Sequence, residues 1–204
     1  QVRRSLRFTW SSSEGHLYRE QKRLVELGWA AVEVEASGGR SRKRYSITQA
    51  GEEALAVWLR TEPQEPHFEI EGFMRLFFAD RGSIDDMVQS LEATASDARA
   101  MRGELRGFVD DYLVEGGPLW LLVQGVGGPD ENRLEFGGRP MFPERLHVVA
   151  LVLDATTQLL AQIEQFCSRT AIEVRAWPSP THDGLTASTR ARLETVRARL
   201  DRLL

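Results

Sequence analysis

The chain has 204 residues, 42 % hydrophobic and 27 % charged, a globular balance with length for one large or two small domains. No uninterrupted apolar run approaches the ~18 residues that a membrane span needs; the densest, Leu119 to Val123, is five residues long. The opening Gln1-Val2-Arg3-Arg4 leads into a mixed segment rather than a secretory one, and the single Cys167 excludes an internal disulfide and fits a reducing compartment, so a cytoplasmic protein is expected. The net charge of −4 hides an asymmetry: residues 1–60 carry 11 Lys/Arg against 7 Asp/Glu, residues 61–185 carry 10 against 21, and residues 186–204 carry 5 against 2. A basic head on an acidic body points to a polyanionic partner for the head alone.

Residues 1–10 read as the end of a helix. Val2, Leu6 and Trp10 recur at helical spacing and Arg3, Arg4 and Arg7 crowd its last turn, which implies chain before Gln1. Ser11-Ser12-Ser13-Glu14 carries a capping-box signature, so a second helix is expected to run to about Leu27, ended by Gly28 and followed by Trp29. Leu17, Leu24 and Leu27 share one face of it; Ser12, Gly15, Arg19 and Lys22 lie opposite, flanked by His16 and Arg23. Ala31-Val32-Glu33-Val34-Glu35 alternates as a half-buried strand does, Ser37-Gly38-Gly39 turns, and Arg40 to Ile47 returns as a basic strand. Thr48 caps a helix with Ala50, Leu55, Trp58 and Leu59 as its apolar positions, and Pro63 and Pro66 bound a linker.

From Phe68 the pattern is helical: a short apolar segment to Phe78, a break at Asp80-Arg81-Gly82, then Ser83 capping a long helix from Ile84 to about Leu113. Residues 116–143 hold three Gly/Pro-rich breaks and read as a long irregular insertion. Pro143 starts a second long helix reaching about Trp177, and a last helix spans Ala187 to Leu204, with Leu193, Val196, Leu200 and Leu203 as a stripe suited to packing on another helix. The expected fold is mainly α with a small β-hairpin wing. An N-terminal winged helix-turn-helix spans 1–62 and a C-terminal long-helix dimerisation domain spans 67–204.

The order helix, basic helix, strand, turn, basic strand, helix is the plan of a winged helix-turn-helix. An α-helix fits the major groove of B-DNA, where base edges are distinguishable, and the N-terminal residues of the second helix meet them. A hairpin carrying Arg40, Arg42, Lys43 and Arg44 can lie along the neighbouring phosphates or enter the minor groove. Trp10-x4-Gly15-His16-Leu17-Tyr18-Arg19-x2-Lys22-Arg23-Leu24-x3-Gly28, with Arg42-Lys43-x-Tyr45-x-Ile47-Thr48-x2-Gly51-x3-Leu55-x2-Trp58-Leu59, resembles the PadR family of phenolic-acid decarboxylase regulators. Phe73-x-Arg75-Leu76-Phe77-Phe78-Ala79-Asp80 and Pro143-Glu144-Arg145-Leu146-His147 are similar, more loosely, to members with a large helical C-terminal domain.

The resemblance implies a bacterial, homodimeric, usually repressing transcriptional regulator that reads double-stranded DNA at a near-palindromic operator. Some relatives release DNA when a small molecule binds. Gly15, Tyr18, Lys22 and Arg23 match recognition-helix positions, and Arg42, Lys43 and Tyr45 match the wing. The chain departs from the family in lacking its first helix before Gln1 and in the length of the 116–143 insertion. The DNA-contacting set is Ser12, Ser13, His16, Tyr18, Arg19, Lys22, Arg23, Arg40, Arg42, Lys43, Arg44 and Tyr45.

Each of these has a plainer role: Arg19, Lys22 and Arg23 as a solvated face, the hairpin cations as solubilising charge, Tyr18 with its ring packed inward. Trp10, Trp29 and Trp58 are expected in the core of the small domain. Phe73, Arg75 and Phe77, with Trp120 and Phe142 of the insertion, are candidates for an effector site taking a flat aromatic or carboxylated ligand; aromatic residues at helical spacing also serve as ordinary core. The four histidines, at 16, 67, 147 and 182, form no metal-ligand pair, so neither a metal, a cofactor nor a catalytic site is expected. The competing reading is a winged-helix module that binds protein and has no DNA operator.

Overall fold

The computed structural model describes residues 14–37, 40–125, 145–181 and 187–203. Two compact units divide the chain, 1–68 and 69–204. The fold is mainly helical with one two-stranded antiparallel hairpin.

In the first unit, α1 (Glu14–Glu26) is followed by β1 (Ala30–Ser37), β2 (Arg40–Ile47) and α2 (Gln49–Trp58). The end of α1 is fixed by backbone bonds. The Trp29 amide donates to the Leu24 carbonyl at 2.9 Å and the Gly28 amide to that of Val25 at 3.0 Å, a Schellman closure. It needs a left-handed residue, and Gly28 has φ +73°. The hairpin and α2 are joined to this corner by one side chain. The Thr48 hydroxyl donates to the Gly28 carbonyl at 2.6 Å and accepts from the Gly51 amide at 3.1 Å, capping α2. Gly51 lies against the start of the hairpin, where an added Cβ would stand 2.1 Å from the Trp29 carbonyl oxygen. Trp29 and Trp58, expected as core, are exposed, Trp58 at 65 %. The interior of this unit is used for backbone approach around Gly51 and encloses neither indole. Trp10 lies outside the described residues.

In the second unit, α3 (Glu71–Phe77) and a 3-10 turn (Ala79–Arg81) precede α4 (Ile84–Leu113), then α5 (Pro118–Val123), α6 (Leu146–Arg175) and α7 (Ala187–Leu203). Ser83 caps α4 as expected, and it does so in a capping box: its hydroxyl accepts from the Asp86 amide at 3.1 Å, and the Asp86 carboxylate accepts from the Ser83 amide at 2.9 Å. The 30-residue helices α4 and α6, each about 45 Å long at 1.5 Å per residue, pack antiparallel in the most extensive contact of the fold. Leu91, Cys167 and Val174 are fully enclosed at one end of this pair, with Met87, Val88, Ala95 and Ala171 around them and Leu76 of α3 against them. Burial in that apolar setting pushes the Cys167 thiol up.

Ion pairs run along the same seam. Glu164 of α6 accepts from Arg99 at 2.7 Å and from Arg102 at 2.5 Å, and Glu92 pairs with Arg175. The hydrogen bond from Arg99, more than that from Arg102, holds the Glu164 carboxyl below its ordinary range against the opposing effect of burial.

Two sequence expectations change here. Residues 116–143 are not irregular throughout: Pro118–Val123 is helical, because proline is preset for a first helical position and Leu-Trp-Leu-Leu-Val follows it. The remainder of that insertion, from residue 126, lies outside the described residues. Counting uninterrupted runs also understated α6. It is long and apolar enough by composition to cross a membrane, with mean hydropathy 1.5 over 18 residues. Only 11 % of that stretch is buried within the chain. Length and composition alone do not make a span. A helix covered by α4 on one side and by another chain on the other has the same composition.

Candidate nucleic-acid interface

Among the described side chains of α1 the half-buried ones are Glu20, Gln21 and Val25, and Arg19, Lys22 and Arg23 lie on the exposed side with Tyr18 and His16 flanking them. Tyr18 is 72 % exposed, which places its ring outward. Two of the group already have carboxylates within reach: His16 stands 3.8 Å from Glu20 and Lys22 3.6 Å from Glu26, both one helical turn apart and solvated. Such pairs are worth little in water and exchange readily for a phosphate. Ser12 and Ser13 lie outside the described residues.

The hairpin register sorts the wing cations into two kinds. Glu33 faces Arg44 and Glu35 faces Arg42, whereas Lys43 faces Val34 and Tyr45 faces Val32; Arg40 stands opposite Ser37. Because side chains alternate along a strand, Arg44 shares a face with the Glu33 carboxylate, and Lys43 projects from the other face beside Tyr45. The sequence reading counted four cations in five residues and missed this division. The signal was present: alternating Val and Glu on one arm, with a short Gly-rich connection in the sequence, fix the partner of each residue on the other.

The described residues among the effector candidates stand apart from the cavities of the second unit. Phe73 packs edge-on against Phe166 with centroids 5.6 Å apart, and Arg75 is held by Glu71 at 2.7 Å. Phe77 is 80 % exposed and touches Phe78, Trp120 sits on α5, and Phe142 lies outside the described residues. Phe73, Arg75, Phe77 and Trp120 do not line the cavity at Arg102 and Glu164 or the one at Leu113 and Leu153. Among the described residues no group of three His, Cys, Asp or Glu is placed to hold a metal ion.

A capped helix with an outward basic face, joined through Thr48 to a basic hairpin, is a winged-helix arrangement, and the comparisons agree. Residues 1–57 match the transcriptional regulator PadR-like family. Over this basic head the chain is similar to PadR-like regulators. No curated protein matches it. Among solved structures it is similar to the PadR-like transcriptional regulator BC1756 from Bacillus cereus, at 15 % identity over 85 % of this chain and 82 % of that one, TM-score 0.60. It is similar to Bacillus subtilis PadR in complex with operator DNA, at 16 % identity over 85 % and 86 %, TM-score 0.55. The virulence activator AphA of Vibrio cholerae is similar at 19 % identity over 86 % and 85 %, TM-score 0.54. At these identities the likeness is one of fold, and it extends through the PadR-like head into the helical body.

Proposed function

We propose that this PadR-like protein is a cytoplasmic, homodimeric, sequence-specific DNA-binding repressor with a near-palindromic operator, released by a small molecule, and not an enzyme. The observation that carries the reading is the pairing, within one compact unit, of the outward face of α1 (Arg19, Lys22, Arg23) with a hairpin that presents Lys43 and Tyr45 on one face. In this reading α1 enters the major groove, with residues from 12 onward at the base edges, and the wing grips the backbone. The fold neighbour solved with operator DNA supports it.

Dimerisation is part of the mechanism, since two half-sites about one helical turn apart need a two-fold protein. Leu193, Val196 and Leu200 on α7 and Val148, Leu151, Val152 and Leu159 on α6 are exposed apolar residues, and a second copy of the chain would bury them. The body's acidic charge keeps DNA on the head. The sign of regulation rests on the family's usual behaviour, and one fold neighbour is named an activator.

The test is fluorescence anisotropy with labelled DNA from upstream of the protein's own gene, at several salt concentrations. Tight binding whose log affinity falls linearly with log salt, and which is lost in Arg42→Ala/Lys43→Ala, is the expected result. Binding no tighter than to random DNA, with a genome-wide pull-down also empty, would instead favour the protein-binding module. The exposed Val57 and Trp58 of α2 and Leu59 at its C-cap are the surface such a module would use.

A further inference from the structure

A cavity of about 590 Å³ opens in the second unit between the last turns of α4, the short α5 and the first turns of α6. Its size is that of a site for a drug-sized molecule. Val109, Leu113, Leu119, Leu122, Leu146 and Leu153 give it apolar walls. The polar groups stand among them: Tyr112, His147, Asp154 and Thr157. Asp154 and His147 are exposed, and the Asp154 carboxylate accepts one hydrogen bond, from Gln158 at 3.0 Å. A carboxylate has room for about three more. The end of α4 carries Asp110, Asp111 and Glu115, and its last cation, Arg106, is spent on Asp110 at 3.7 Å. At the start of α6, Arg145 is the N-cap residue, and His147 lines the cavity with Asp154.

We propose that this cavity is a binding site for lipophilic organic cations, with the apolar body of the ligand among the leucines and its cationic or N–H-bearing end at Asp154. An aromatic carboxylate of the same size would meet the like charge of Asp154, so the site selects against the ligand class that the aromatic residues suggested from sequence. The proposal deepens the regulator reading by naming its effector class and rests on that reading for its biological use; the binding does not depend on it.

The experiment is calorimetric titration of the full chain with tetraphenylphosphonium as cation and anilinonaphthalene sulfonate as anion, beside Asp154→Asn and Ala150→Trp. Ala150 lines the cavity and is exposed, so the indole fills the space with little demand on the core. The expected result is saturable binding of the cation in preference to the anion, weakened roughly fivefold in Asp154→Asn, as for a largely solvated charge pair, and abolished in Ala150→Trp. Circular dichroism checks that each variant folds; if Ala150→Trp does not, the Asp154→Asn variant and the anion decide. No saturable uptake of the cation, equal affinity in Asp154→Asn, or preference for the sulfonate would overturn the proposal. So would cation binding seen only when the chain is diluted to monomers, which would make the cavity a self-association surface. Operator binding measured on the same sample separates the two readings: retained DNA binding without cation uptake sinks this inference alone, and the reverse sinks the regulator alone.

Discussion

In the body, Leu91, Cys167 and Val174 have essentially no exposed surface and α4 and α6 meet along most of their length. In the head, Gly51 is the one fully buried residue among those described, and Leu24, Leu27, Trp29, Leu55 and Trp58 all keep exposed surface. The two units are therefore held by different terms. Burial of side chains stabilises the body. The head takes its shape from directed bonds: the Schellman closure at Gly28, the two bonds of Thr48 and the ladder of the hairpin. The difference teaches where each kind of substitution should register. Volume changes should hurt the body; changes in charge and backbone fit should hurt the head.

The largest effect expected is in the body. Leu91→Ala should cost about 4 kcal/mol in chemical denaturation, in the range for a fully enclosed leucine, while operator affinity measured well below the transition stays unchanged. A loss under 1 kcal/mol would mean that the core at this end of α4 is looser than the packing implies. Next in size, replacing Arg19, Lys22 and Arg23 together with alanine should weaken operator binding roughly a hundredfold, close to 3 kcal/mol, and flatten the salt dependence, with the thermal unfolding of the body unmoved. An unchanged salt slope would place the duplex elsewhere.

Ser83→Ala should lower the stability of the body by about 1 kcal/mol through loss of the α4 cap, with no effect on DNA. Within the wing, Lys43→Ala should weaken binding about fivefold more than Arg44→Ala, since Lys43 has no carboxylate opposite it in the ladder. Equal losses would show that the register does not sort these cations.

The smallest effect concerns pH. Asp86, whose carboxylate accepts from the Ser83 hydroxyl and amide, and Glu164, held by Arg99 and then Arg102, both titrate below their ordinary values. A depressed carboxyl stabilises the fold above its unfolded pKa, and that contribution is lost as pH falls through the folded value. Melting temperature should therefore be level at neutral pH and fall on the acid side of the ordinary carboxylate range. Glu164→Gln should make that fall shallower, whereas a Tm that rises on acidification would contradict the sign.

How far the sequence reached follows from the same contrast. Serine caps, glycine stops and helical periods act within a few residues of each other, so the bounds Ile84 and Leu113, the start at Ala187 and the glycine ending α1 could be read directly. The hairpin followed from alternation and a short turn. Burial could not be read this way. Trp58 occupies an apolar helical position and is exposed, because periodicity tells which side of a helix is apolar and says nothing of what lies against it. The same gap applies to the candidate effector residues. Phe73 found Phe166, 93 positions away, whereas the cavity formed where α4 ends, α5 crosses and α6 begins.

By itself, then, the sequence determined the element order, the basic head with its PadR-like motif, and the acidic body, because all of these rest on local spacing and composition. Tertiary structure alone decided the register that sets Glu33 against Arg44, the enclosure of Cys167, and the cavity beside Asp154, because each depends on segments brought together by the fold across many residues of chain.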